Sequence, residues 1–88
     1  MAYYIKKPIK IQAVAIERDA VINISNYPEW VKEKYVEGNI LFKPNTFKVN
    51  SLEGWMESRY DSYLVLGPRN EIYIVQKEIF ESTYDKVD

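Results

Sequence analysis

The chain has 88 residues, 47% hydrophobic and 15% aromatic, with a net charge of −1 and neither cysteine nor histidine. That length suits one domain with one small core, because chains this short bury only about 60% of the surface their unfolded form exposes. The missing residue types exclude disulfides, thiolate zinc sites, HExxH metal sites and the Ser–His–Asp and Cys–His nucleophilic arrangements.

Eight tyrosines and two tryptophans supply much of the apolar area. Each aromatic buries roughly 150–250 Å², so a folded domain is expected in place of a disordered chain. No apolar run approaches the roughly 20 residues needed to cross a bilayer. The opening MAYYIKKPIK lacks the apolar centre of a signal peptide, and the expected location is the cytoplasm. Charge is unevenly spread. Met1 to Leu52 carry eight Lys/Arg against five Asp/Glu, whereas Glu53 to Asp88 carry four against eight. This asymmetry reads either as two solvated faces of a small domain or as a dipolar binding surface.

In chain order, IKIQAVAI (Ile9 to Ile16) alternates at period two, with Ile9, Ile11, Ala13 and Ala15 on one side. Pro8 suits a strand start, where its missing N–H matters least. ERDAVINISNY is compatible with a short helix opened by Asp19 or with a strand through Val21, Ile22 and Ile24. PEWVKEKYVEG predicts a helix over about Pro28 to Glu37. Pro28 suits its first turn, Glu29 the positive N-terminal end and Gly38 the stop. Tyr27, Trp30, Val31 and Tyr35 form one apolar stripe on it, read as core contact.

Beyond Gly38 the pattern becomes short strands separated by turns: NILF, the Pro44-Asn45 turn, TFKVNS, the LEG turn, WMES, YLVL and EIYIV. Their spacing is that of a small antiparallel sheet or partly closed barrel. Within GPRN, Pro68 pre-sets a type I turn and Asn70 tolerates a left-handed backbone, which makes a three-residue hairpin loop with a bulge. Its strands are apolar on both faces, so this hairpin is expected to be central. QKEIFESTY loses the alternation and reads as about one helical turn, with Ile79 and Phe80 as plugs and Tyr84 returning to the core.

The C-terminal half carries Ser51-Leu52-Glu53-Gly54-Trp55-Met56, Tyr63-Leu64-Val65-Leu66-Gly67, Glu71-Ile72-Tyr73 and Glu78-Ile79-Phe80-Glu81-Ser82-Thr83-Tyr84-Asp85. This resembles a group of small proteins encoded by bacteriophages and prophages, whose pattern reads T-L-E-G-x-M, G-D-Y-I-I-x-G, x-x-G-E-x-Y and D-I-F-E-x-T-Y-E. KKPIKIQAVAI (Lys6 to Ile16) is similar to that group's K-K-P-x-x-I-x-A-V opening. The departures, Asp61-Ser62, Asn70 and Lys77, fall at turn or cap positions. The resemblance implies phage origin and a shared fold, with no catalytic group.

The carboxylates Glu53, Glu57 and Asp61 are the best enzyme candidates, since paired carboxylates can divide acid and base roles. Turn formation and solvation account for them more simply, and no EF-hand spacing is present. YYIKKPIK mixes basic and aromatic residues as nucleic-acid grooves do, so Tyr3, Tyr4, Lys6, Lys7, Lys43 and Lys48 form the candidate nucleic-acid surface. Against it stands a slightly negative overall charge, where such binders are usually basic. Gly67-Pro68-Arg69-Asn70 has no Walker-type lysine and does not suit a phosphate. Trp55, Glu57, Arg59, Tyr60, Asp61, Arg69 and Glu71 form the candidate protein-interaction surface, because exposed Trp, Tyr and Arg dominate interfaces.

The expected fold is α+β: one helix on a small antiparallel sheet, open or barrel-like, with a short C-terminal helical turn. The expected function is that of a non-enzymatic phage or prophage accessory protein. It would bind a host or phage protein and inhibit a host defence nuclease, such as a CRISPR effector, sterically or through its acidic half. The alternative is a nucleic-acid-binding β-domain. No cofactor or metal is expected. An exposed Ile9 to Ile16 edge would permit dimerisation by strand addition.

Overall fold

The computed structural model describes residues 1–4 and 8–87. It is α+β, with two helices and two three-stranded antiparallel sheets. β1 (Gln12–Ala15) is followed by turns, a 3-10 turn at Ile24–Asn26 and α1 (Glu29–Val36). β2 (Ile40–Phe42), β3 (Thr46–Ser51) and β4 (Gly54–Arg59) then form one sheet as a simple meander. β5 (Tyr63–Leu66) and β6 (Ile72–Val75) form a hairpin that takes β1 as its third strand, in the order β1-β5-β6. α2 (Lys77–Thr83) ends the chain's regular structure.

The helix lies where its sequence signals place it. Pro28 is the N-cap, and its carbonyl accepts the Val31 N–H at 3.0 Å. At the other end Gly38 adopts φ +83. Its N–H bonds the Tyr35 carbonyl, and the Asn39 N–H reaches back to Lys34. This pair of bonds is the Schellman stop, which satisfies orphan carbonyls through a left-handed residue. The predicted stripe holds: Val31 is buried, and Tyr27, Trp30 and Tyr35 pack against the core.

The β5–β6 loop also follows its sequence. The Asn70 N–H bonds the Gly67 carbonyl at 3.1 Å, Asn70 has φ +64, and the Gly67 N–H closes the loop on Glu71 at 2.8 Å. That is a type I turn with a left-handed residue after it. The hairpin is apolar on both sides because both are covered. Leu64, Leu66, Ile72 and Ile74 join the core with Ile40, Phe47 and Val49 of the meander. On the opposite face Phe80 stacks on Tyr63 at 4.0 Å between ring centroids, and Tyr84 stacks on Phe80 at 4.6 Å. Burial, helped by a hydroxyl bond to Tyr84, pushes the Tyr73 phenol up to about 12.

Several expectations need correction. The sheet is split in two and does not close into a barrel. β1 begins at Gln12, and the side chains it sends to the core are Val14 and, just past its end, Ile16, while Ile9 is exposed and Ala13 faces outward. Both alternate sets from Ile11 to Ile16 are largely apolar, so period two alone does not choose between them; the larger side chains go in. The ERDAVINISNY segment is neither α-helix nor strand but turns closed by Asp19, whose carbonyl and carboxylate accept bonds from the Asn23 N–H and amide. α2 has seven residues, not one turn, and Ile79 is 55% exposed while Phe80 alone plugs the sheet.

Phe47 is wholly buried where the two sheets meet. Phe47→Ala is expected to lower unfolding free energy by about 3–5 kcal/mol, whereas Ile79→Ala should change it by less than about 0.5 kcal/mol. Urea unfolding of the two variants checks both figures.

Candidate functional site: the outer face of the meander

A three-stranded sheet has two faces, and alternation along β3 and β4 separates them here. Phe47, Val49, Met56 and Tyr60 point into the core. Thr46, Lys48, Asn50, Trp55, Glu57 and Arg59 alternate with them and point away. The register sets Leu41 opposite Lys48, Lys48 opposite Glu57, Asn50 opposite Trp55 and Thr46 opposite Arg59. Trp55 is 49% exposed and Leu41 46%. Half-exposed large apolar groups on one sheet face, surrounded by charges, have the composition of an interface centre.

The charges on this face are organised. Glu57 accepts the Thr46 hydroxyl at 2.6 Å and the Lys43 ammonium at 3.2 Å, both on Oε2. Those bonds hold its carboxyl below the usual range. Arg59 reaches α2 and pairs with Glu78 at 3.3 Å. The Lys48 ammonium lies 5.9 Å from the centroid of the Trp55 ring, within cation–π reach. Asn50 is fixed by its amide bond to Asn39.

Part of each of the two expected surfaces therefore meets on this one face. Trp55, Glu57 and Arg59, from the protein-interaction set, lie beside Lys43 and Lys48, from the nucleic-acid set. Tyr60 does not belong to the surface: it is 7% exposed, stacks on Phe47 and donates to the Lys43 carbonyl at 2.6 Å. The alternation of β4 continues through it and turns it inward. Arg69 is exposed at the hairpin tip, and Glu71 accepts its backbone N–H at 2.8 Å. These two occupy a different element from the meander. Tyr3 and Tyr4 are fully exposed at the N-terminus. Lys6 and Lys7 lie outside the described residues. Sequence reasoning missed Leu41, whose outward position was legible only once strand NILF was known to alternate around a buried Ile40.

The three carboxylates weighed for catalysis stand in different surroundings. The Glu53 N–H bonds Ser51 Oγ in the β3–β4 turn, and Glu57 belongs to the lysine pair described above. Asp61, held at φ +77 in the β4–β5 loop, lies instead near the Glu17 carboxyl, just past the end of β1. Among the described residues, no three acidic groups gather to hold a metal ion. Hydrogen bonding to the Asp61 carboxyl, then slight desolvation and the nearby charges of Asp61 and Asp19, raise the exposed Glu17 carboxyl above its ordinary 4.5, with Lys77 opposing. The folded state therefore binds this proton more tightly than the unfolded one. The stability it contributes is complete below pH 4.5 and is lost as pH rises through the raised value.

Glu17→Gln keeps a hydrogen-bond donor without the charge. It is expected to melt at a higher temperature than the parent at pH 7, with the difference shrinking as pH falls through the raised value and levelling off below 4.5, read by thermal melts across a pH series. Compared with known proteins, the chain matches no protein-family model, no curated protein and no solved structure.

Proposed function

We propose that this chain is a non-enzymatic protein-binding module whose contact surface is the outer face of β2–β3–β4. The observation that carries the reading is Trp55, half-exposed on a face that no other element covers among the described residues, with Leu41 beside it and Lys43, Lys48, Glu57 and Arg59 around it. Aromatic and arginine anchors of this kind concentrate binding energy. The likeness of its C-terminal motifs to small bacteriophage and prophage proteins supports a finer reading. On that reading the protein acts in the cytoplasm of the bacterial host, and the partner is a host or phage protein such as a defence nuclease of the CRISPR type.

Steric blocking suits this surface better than mimicry of a nucleic acid. Mimicry needs a concentrated array of free carboxylates, but Glu57, Glu71, Glu78 and Glu81 each engage a neighbouring group, and Glu53 and Asp61 sit in separate turns. The alternative of nucleic-acid binding draws on Tyr3, Tyr4, Lys6, Lys7, Lys43 and Lys48, of which Lys43 is already paired with Glu57. It predicts retention on DNA or RNA at about 50 mM salt that falls steeply as salt rises.

Affinity capture from bacterial host lysate, with and without nuclease, tests the proposal. The expected result is a stoichiometric protein that survives nuclease and is lost with Trp55→Ala and weakened with Leu41→Ala, while Arg69→Ala on the hairpin tip leaves it. Recovery that depends on intact nucleic acid would overturn the reading, as would a partner indifferent to Trp55.

A further inference from the structure

If the meander face is the contact surface proposed above, its charges constrain the chemistry of the partner, and the inference rests on that reading. Of the three cations that the described residues place on the face, Lys43 is bound to Glu57 and Arg59 to Glu78. Lys48 has no carboxylate within ion-pair distance among the described residues. Its ammonium stands beside the Trp55 ring, and Leu41 lies directly across the strand from it. Glu57, opposite Lys48 in the register and within reach of its charge, gives its hydrogen bonds to Lys43 and Thr46, so the face carries one positive charge in excess, seated between two half-exposed apolar side chains.

A partner that covers Trp55 also covers this ammonium, because only 5.9 Å separate it from the ring centre. Burying a charge without a counter-charge is strongly unfavourable. Apolar contact at Trp55 therefore favours an added anion at Lys48, because Glu57 is shared with Lys43. We infer that the partner presents an acidic–apolar protein segment, one Asp or Glu carboxylate taken by Lys48 with flanking aliphatic or aromatic side chains against Leu41 and Trp55. A nucleic-acid backbone fits less well. It brings repeated phosphates that require several free cations, and here Glu57 and Glu78 already occupy the other two.

Selection of displayed random peptides against the immobilised protein, its K48E variant and its W55A variant tests this whatever the partner's identity. The expected peptides carry an acidic residue flanked by Leu-, Phe- or Trp-type residues. K48E should weaken them by about tenfold and turn selection toward basic peptides, and W55A should weaken them by about tenfold or more. Peptides that need Trp55 yet carry no acidic residue, or that bind K48E equally, would overturn the carboxylate assignment while leaving the contact surface standing. Peptides indifferent to Trp55, or no enrichment at all, would remove both. Preferential binding of oligothymidylate, lost in K48E, would overturn the protein segment in favour of phosphate.

Discussion

The β5–β6 hairpin is the constraint on which the remaining structure depends, because it is buried from two directions. Its inner side chains, Leu64, Ile72 and Ile74, close the core against Phe47 and Val49 of the meander. Its outer side chains are covered by the C-terminal segment through the Tyr63–Phe80–Tyr84 stack. Edge strand β1 joins it, and the ladder runs on past β1 through the bonds of Ile16 with Ser62 and of Asp61 with Ile16. A chain of this size has few elements available for coverage. With α1 on the core and α2 behind the hairpin, no helix or strand among the described residues packs over the outside of β2–β3–β4, which α2 reaches only at its margin through the Arg59–Glu78 pair.

That uncovered face is not simply a solvated one. A wholly charged surface would have no reason to hold Trp55 and Leu41 half-exposed, and a wholly apolar one would aggregate. Here the ion pairs of Lys43 with Glu57 and Arg59 with Glu78 neutralise most of the charge internally. Exposed pairs of this kind contribute little to stability. Their effect is to leave the region around Trp55 with one positive charge in excess, since Lys43 and Lys48 share the single carboxylate of Glu57. The Arg18 side chain anchors the adjoining β2–β3 turn by donating to the Pro44 carbonyl and the Asn45 side chain, both at 2.8 Å, while lying over the Tyr60 ring. The face is thus carried on a fixed scaffold, as recognition surfaces require.

Much of this architecture was legible from local chemistry. The α1 boundaries follow from Pro28 and Gly38, and the β5–β6 loop from Pro68 and Asn70, because each of those residues restricts or permits a specific backbone conformation. Strands β2 to β6 fall where alternation and turn residues place them. The failures occur where local signals are degenerate. The Ile11 to Ile16 stretch is apolar on nearly every residue, so its inward side depends on which partner strand it meets. Tyr60 has the composition of a surface anchor, and only its place in the β4 alternation turns it inward. The site itself was half legible: Trp55, Glu57 and Arg59 share a parity within one strand. Their meeting with Lys43, Lys48 and Leu41 depends on the β2–β3–β4 register, which no single segment encodes.

The central claim is that the outer face of β2–β3–β4 is where this protein is bound. Amide chemical-shift mapping during titration with a purified captured partner tests it most directly. The account predicts that the largest changes cluster at Leu41, Lys48, Asn50, Trp55 and Glu57, including the Trp55 indole, with α1 and the β5–β6 loop unchanged. Changes concentrated on α1, on β1 or at the hairpin tip, with the Trp55 indole unmoved, would contradict it.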